Sequence, residues 1–184
     1  ISACLVGSEM CIRDRHKDNP VNWQVWSKKT FELAKEKKLP ILLSVGYASC
    51  HWCHVMAHES FEDIETSKLM NELFINVKVD REERPDIDYV FQSSYQLFNQ
   101  AGGGWPLTMF LDENGVPFSG GTYFPKVQQH GLPSFKEVLI KVSDVYKDQR
   151  FNKEVDQETG YRTKNMICCP VKTVGGETIG VIQV

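Results

Sequence analysis

The sequence predicts an α/β fold in which helices cover both faces of a mixed central β-sheet. Three observations carry this expectation. A short apolar run, PILLSVG (40–46), lies between two helix-like segments, and a second strand-like run, FINVKVD (74–80), follows the latter. Further on, LTMFL (107–111) and VPFS (116–119) flank an Asn-Gly turn. The first two runs make a parallel βαβ unit with a right-handed crossover, and the hairpin adds antiparallel strands to the same sheet.

The elements follow in order. Residues 1–15 (ISACLVGSEMCIRDR) have neither helical nor strand periodicity and resemble the peptide obtained by translating a sequencing adapter, so they are expected to form a leader outside the fold. Asn19 and Pro20 supply a cap and a first-turn proline for a helix in which Trp23, Trp26, Thr30 and Ala34 recur at helical spacing, up to Lys35, Lys37 and Lys38. The continuous apolar character of PILLSVG suits a central strand buried on both faces. Tyr47 to Ser49 form a turn, and His51 to Asn71 read as helical with a break near Asp63. After the second strand, a helix runs from Pro85 to Phe98 and is ended by Gly102, Gly103 and Gly104, before Trp105 and Pro106. Asp112 to Gly115 turn the hairpin. A last helix runs from Ser134 to Gln149, with Phe135, Val138, Leu139, Val142 and Tyr146 on one face.

Composition narrows the function classes. The chain has 184 residues, 41% apolar and 24% charged, which fits one soluble domain with an appendage. A net charge of -3 provides no general basic surface for nucleic acid. No apolar run approaches the roughly 18–20 residues that span a bilayer, so no membrane partner is expected. The six cysteines fall into three local groups: Cys4 and Cys11, Cys50 and Cys53, Cys168 and Cys169. These spacings suggest no disulfide framework, and a reducing, cytoplasmic setting is expected.

The segment CHWCH (50–54) sits where a buried strand gives way to a helix. Unpaired backbone N–H groups and the positive end of the helix dipole stabilise a thiolate there, and in such motifs a thiol pKa near 8.5 can fall to roughly 3.5–7.5. Cys50 is therefore expected to attack. Cys53, one turn later, is expected to resolve the mixed disulfide from a more shielded position. His51 and His54 can donate hydrogen bonds to the thiolate. Two other chemistries share these residue types: CxxCH is the attachment pattern of c-type haem with His54 as axial ligand, and Cys50, Cys53 and two of His51, His54 and His58 could hold zinc. The strand-to-helix position, and the lack of a second CxxC group, favour the redox reading, which needs no cofactor.

Residues 16–149 resemble the thioredoxin-like N-terminal domain of the spermatogenesis-associated protein 20 family. The resemblance rests on HKDNPVNWQVW (16–26), SVGYASCHWCHVMAHESF (44–61), VKVDREERPDID (77–88), GGGWPLTMFL (102–111) and GGTYFP (120–125). It implies a thioredoxin-like fold, a thiol-disulfide oxidoreductase activity on protein or small-molecule disulfides, and a cis Pro106 facing Cys50. It also implies a helical-barrel domain that is missing here, for which the domain could instead be a non-catalytic interaction or regulatory module. Thioredoxins keep a buried acid six residues before the first active cysteine. Ser44 occupies that position here, and a serine cannot accept the Cys53 proton.

Three further features lie outside the CHWCH segment. Asp80 begins a charged turn, Asp80 to Arg84, at a strand end, where α/β sheets build sites, although charged runs are also solvated surface. Trp52 and Trp105 could form an apolar lip for a peptide or belong to the core. Residues 150–184 (from 151, FNKEVDQETGYRTKNMICCPVKTVGGETIGVIQV) resemble part of a GAF domain of cyclic-nucleotide phosphodiesterases. This piece is too short to fold alone, and a chimeric chain is expected.

Overall fold

A computed structural model describes residues 19–100, 102–129, 131–143, 168–172 and 178–183. The expected leader, Tyr146 and the end of the last expected helix lie outside the described residues.

The central sheet has four strands: β1 (Ile41–Gly46), β2 (Ile75–Asp80), β3 (Leu107–Leu111) and β4 (Pro117–Gly121), in the order β2-β1-β3-β4. β1 runs parallel to β2 and antiparallel to β3, and β3 is antiparallel to β4, so the sheet is mixed as expected. All residues of β1, β2 and β3 are buried. Side chains alternate between the two faces along each strand. One face presents Leu43, Val45, Val77, Val79 and Met109 to α1 (Lys28–Lys37) and α4 (Pro85–Asn99), where Ala34, Ile87 and Phe91 complete the core. The other presents Leu42 and Phe110 to α2 (His51–Met56), α3 (Ile64–Leu73) and α5 (Phe135–Ser143), with Met56, Met70 and Phe135 among the packed side chains. The expected α, β, α, β, α, β, β, α order is the order found, and the fold is thioredoxin-like.

The first helix differs from the expectation. It begins at Lys28, where the Ser27 hydroxyl accepts from the Thr30 N–H, and not at Pro20. The residues before it are extended: Gln24 accepts from the Lys78 N–H and donates to the Asn76 carbonyl, bridging to β2. Trp23 belongs to the core on the α2 side and Trp26 packs against that on the α1 side, which no single helical face allows. The helical spacing of the tryptophans is therefore coincidental.

The helix expected over 51–71 breaks where Asp63 suggested. α2 passes into a π-helical turn, Ala57–Phe61, and α3 restarts with Asp63 as its cap, accepting from the Thr66 N–H at 2.9 Å and the Thr66 hydroxyl at 2.6 Å. Lys126 pairs with the same carboxylate at 2.7 Å. These hydrogen bonds, led by Lys126, hold the Asp63 pKa far below its usual value.

α4 ends at Asn99, and Gln100, in the left-handed conformation (φ 51°), closes it ahead of the glycines expected to do so. The β3–β4 turn closes on Asp112, whose carboxylate accepts from the N–H groups of Asn114 and Val116. Gly115 there has φ 88°, and a Cβ on it would lie 2.9 Å from the Phe31 ring. Ser134 and Glu137 form a reciprocal capping box at the start of α5. Cys168–Lys172 (β5) and Thr178–Gln183 (β6) form a separate two-stranded antiparallel sheet.

Candidate active site

Cys50 is the cap of α2, with extended backbone (φ -77°, ψ 107°), because the chain leaves the buried end of β1 through the Tyr47–Ser49 turn and then winds. Its sulfur accepts a hydrogen bond from the Cys53 N–H at 3.2 Å, as a serine oxygen does at other helix starts. Cys50 and Cys53 are joined as a disulfide, with Cα atoms 5.3 Å apart. Cys50 is 4% exposed and Cys53 is half-buried, so the expected order of exposure is reversed in the oxidised pair. Below them, a Cβ on Gly46 would lie 2.9 Å from Cys53 Sγ: β1 ends in glycine where the sulfur meets the sheet.

The two histidines adjoining the pair have separate engagements. His54 Nε2 lies 2.8 Å from the Ala48 carbonyl, which fixes that nitrogen as the N–H donor and ties α2 back to the preceding turn. His51 is exposed and meets Trp52 edge-on, with ring centroids 5.7 Å apart. His58 pairs with Glu62 at 3.0 Å. Among the described residues, no three of His, Cys, Asp and Glu come together as a metal site.

Aromatic groups border the pair on two sides. Trp52 is 53% exposed and leans on Tyr123, with ring centroids 5.0 Å apart. The Tyr123 hydroxyl donates to Glu59 at 2.6 Å, and burial together with this bond pushes its pKa up to about 12. On the other side, Tyr47, whose carbonyl accepts from the Cys50 N–H, meets Trp105 edge-on at 5.8 Å. The peptide bond from Trp105 to Pro106 is cis.

A family model, Thioredox_DsbH, described as "Protein of unknown function, DUF255", matches residues 4–166. The chain belongs to this family. Over 136 residues, 74% of this chain, it is 44% identical to human spermatogenesis-associated protein 20. That stretch is 17% of the human protein, so the chain spans about a sixth of the length of the curated relatives it matches. A solved structure titled "DsbH Oxidoreductase" aligns with a TM-score of 0.49 and 18% identity, covering 66% of this chain and 82% of that one. A shorter stretch of 45 residues, 24% of this chain, is 51% identical to 3% of the length of the Drosophila melanogaster dual 3',5'-cyclic-AMP and -GMP phosphodiesterase 11. This accords with the phosphodiesterase resemblance of residues 150–184.

Within this Thioredox_DsbH domain, the charged turn at 80–84 is no loose surface loop. Asp80 is buried and accepts from the Glu82 N–H at 2.9 Å, while Arg84 forks onto Asp86. Arg81 donates from its backbone to the Gly46 carbonyl and lays its guanidinium 3.9 Å from the centroid of Trp105. Asp88, buried at the start of α4, accepts from the Trp105 indole N–H at 2.9 Å and lies 3.5 Å from Arg81. Ser44 is fully buried and accepts from the Lys78 ammonium at 2.9 Å. Sequence reasoning missed Tyr47, Lys78, Arg81, Asp88 and Tyr123. The one available signal was that RPDID and GGGWP both fall inside the segments that carry the family resemblance.

Among the described residues, no helix is long and apolar enough to cross a membrane.

Proposed function

We propose that this domain performs thiol-disulfide exchange, with Cys50 as nucleophile and Cys53 as resolving thiol. The observation that supports this best is the hydrogen bond from the Cys53 N–H to Cys50 Sγ at 3.2 Å, because a donor already aimed at the sulfur favours its thiolate once the pair is reduced. In the reductive direction, the Cys50 thiolate attacks a substrate disulfide and releases one substrate thiolate. The Cys53 thiolate then attacks the Cys50 sulfur and releases the second, so two electrons pass from the pair to the substrate. Run backwards, the same steps oxidise a substrate dithiol. Protein or small-molecule disulfides are the proposed substrates.

In this reading, Pro106 shapes the substrate-binding face beside Cys50, and Trp52 and Trp105 supply apolar contact. His54 holds the turn before Cys50 through the Ala48 carbonyl, and His51 is the histidine left to act on the thiolate or the substrate.

Trapping tests the assignment. Cys53→Ser should accumulate mixed disulfides through Cys50 when offered oxidised glutathione, and Cys50→Ser should accumulate none. Equal trapping by the two variants, or trapping by neither, would refute it.

A further inference from the structure

Resolution requires Cys53 to lose a proton, because the thiolate is the attacking form. The groups that could take it are those on the sheet face beneath its sulfur. Gly46 marks that face, since a Cβ there would touch Cys53 Sγ. The β1–β2 register pairs Gly46 with Asp80 and Ser44 with Lys78. Registered residues of a parallel pair project to the same side, so Ser44, Lys78 and Asp80 share the face that Gly46 turns to Cys53. Ser44 carries no titratable group. Asp80 is one strand away from Gly46, about 4.8 Å across the sheet, and is 5% exposed.

We propose that Asp80 is the carboxylate that accepts the Cys53 proton when the disulfide closes. This rests on the exchange reading above. In the closing step, the Cys53 S–H bond breaks and its proton passes to Asp80. The Cys53 sulfur forms a bond to the Cys50 sulfur, and the bond between Cys50 and the substrate sulfur breaks, with the electron pair leaving on the substrate thiolate. The protonated Asp80 returns the proton to that thiolate or to solvent. The Cys53 sulfur is oxidised and the substrate sulfur is reduced.

The surrounding charges are identifiable. Lys78, 6% exposed and hydrogen-bonded to Ser44, is the cation of the same face. Glu82, Glu83 and Arg84 follow in the turn, whose Glu82 N–H binds Asp80 Oδ1. On α2 the titratable groups are Cys50, Cys53, His51 and His54, the last turned to the Ala48 carbonyl.

The experiment uses the full chain, reduced and then mixed with excess oxidised glutathione. Acid quenching and mass spectrometry separate the glutathione adduct of Cys50 from the closed disulfide. Asp80→Asn keeps an oxygen for the turn and loses the base. At neutral pH it should slow closure by about a hundredfold, the lower end of what a positioned general base contributes. The gap to the wild type should narrow as pH rises towards the free thiol value near 8.5, and Asp80→Glu or Asp80→Asn with Ser44→Asp should restore closure. Closure of Asp80→Asn at the wild-type rate, or slowing by one factor at every pH, would overturn the inference while leaving the exchange reading intact. Failure of the wild type to reach the closed disulfide together with failure of Cys53→Ser to form a glutathione adduct at Cys50 would overturn both. Should Asp80→Asn not fold, carbon-13 carboxyl shifts of the wild type decide: the Asp80 and Cys53 titrations should be coupled in the reduced chain, and independent titration would overturn the inference.

Discussion

The Arg81 guanidinium lies 3.9 Å from the centroid of the Trp105 ring, stacked on the residue that precedes Pro106. Asp88 joins both, accepting the indole N–H at 2.9 Å and lying 3.5 Å from Arg81. Asp88 therefore anchors one wall of the site from the first turn of α4. Replacing it by alanine leaves a partly buried indole N–H without its acceptor and should cost about 1–3 kcal/mol. Asp88→Asn, which retains a carbonyl oxygen, should cost less. Urea denaturation of the two variants measures the difference, and Trp105 emission should move towards that of a solvated indole in Asp88→Ala.

Thiolate formation offers a second test, independent of how exposed each cysteine is. In reduced Cys53→Ser, ultraviolet thiolate absorbance should titrate well below the free thiol value of roughly 8.5. In reduced Cys50→Ser, where the remaining thiol is not the cap of α2, it should titrate closer to that value. The same midpoint in both variants would remove the electrostatic basis for distinguishing nucleophile from resolver.

The cap of α3 governs behaviour in acid. Asp63 has its pKa lowered from 3.8, chiefly by the Lys126 hydrogen bond and then by Thr66. A lowered carboxylate pKa means that the folded state favours the charged form. The associated stability is complete above the unfolded value and drains away as pH falls through and below it. Asp63→Ala should therefore destabilise the domain at neutral pH by about 1–2 kcal/mol, the upper part of the range for lost caps. The penalty should shrink below about pH 4, the unfolded carboxylate range. Melting curves at several pH values follow the change.

Two glycines have different jobs, and alanine should separate them. Gly115 has φ 88° and the Phe31 ring 2.9 Å from its would-be Cβ, so Gly115→Ala should cost stability through the turn, about 1–2 kcal/mol for left-handed backbone. Gly46→Ala meets Cys53 Sγ instead. It should shift the reduction potential of the pair, measured against glutathione, whereas Gly115→Ala should leave that potential unchanged.

Local signals made most of the fold readable. Continuous apolar character identified β1, the Asn-Gly pair identified the hairpin, and Asp63 marked the break between α2 and α3. The start of α1 was misread because Trp23 and Trp26 mimic a helical repeat, whereas an extended segment sends them to opposite sides of the sheet. The site was readable only to the extent that it is contiguous. CHWCH declares its cysteines, but the neighbours of Trp105 come from positions 81 and 88, and those of Ser44 from 78, through strand pairing across long stretches of chain. Register decides these contacts, and no spacing within a single segment encodes it.

β2 is an outer strand of the central sheet, and such a strand offers its backbone to any other extended chain. Gln24 takes two of those offers, the Lys78 N–H and the Asn76 carbonyl. A single residue ahead of α1 thus fills the pairing site that a second copy would otherwise use, in the middle of a six-residue strand. Detaching that residue would turn the rim of the sheet into a seam along which molecules could zip together.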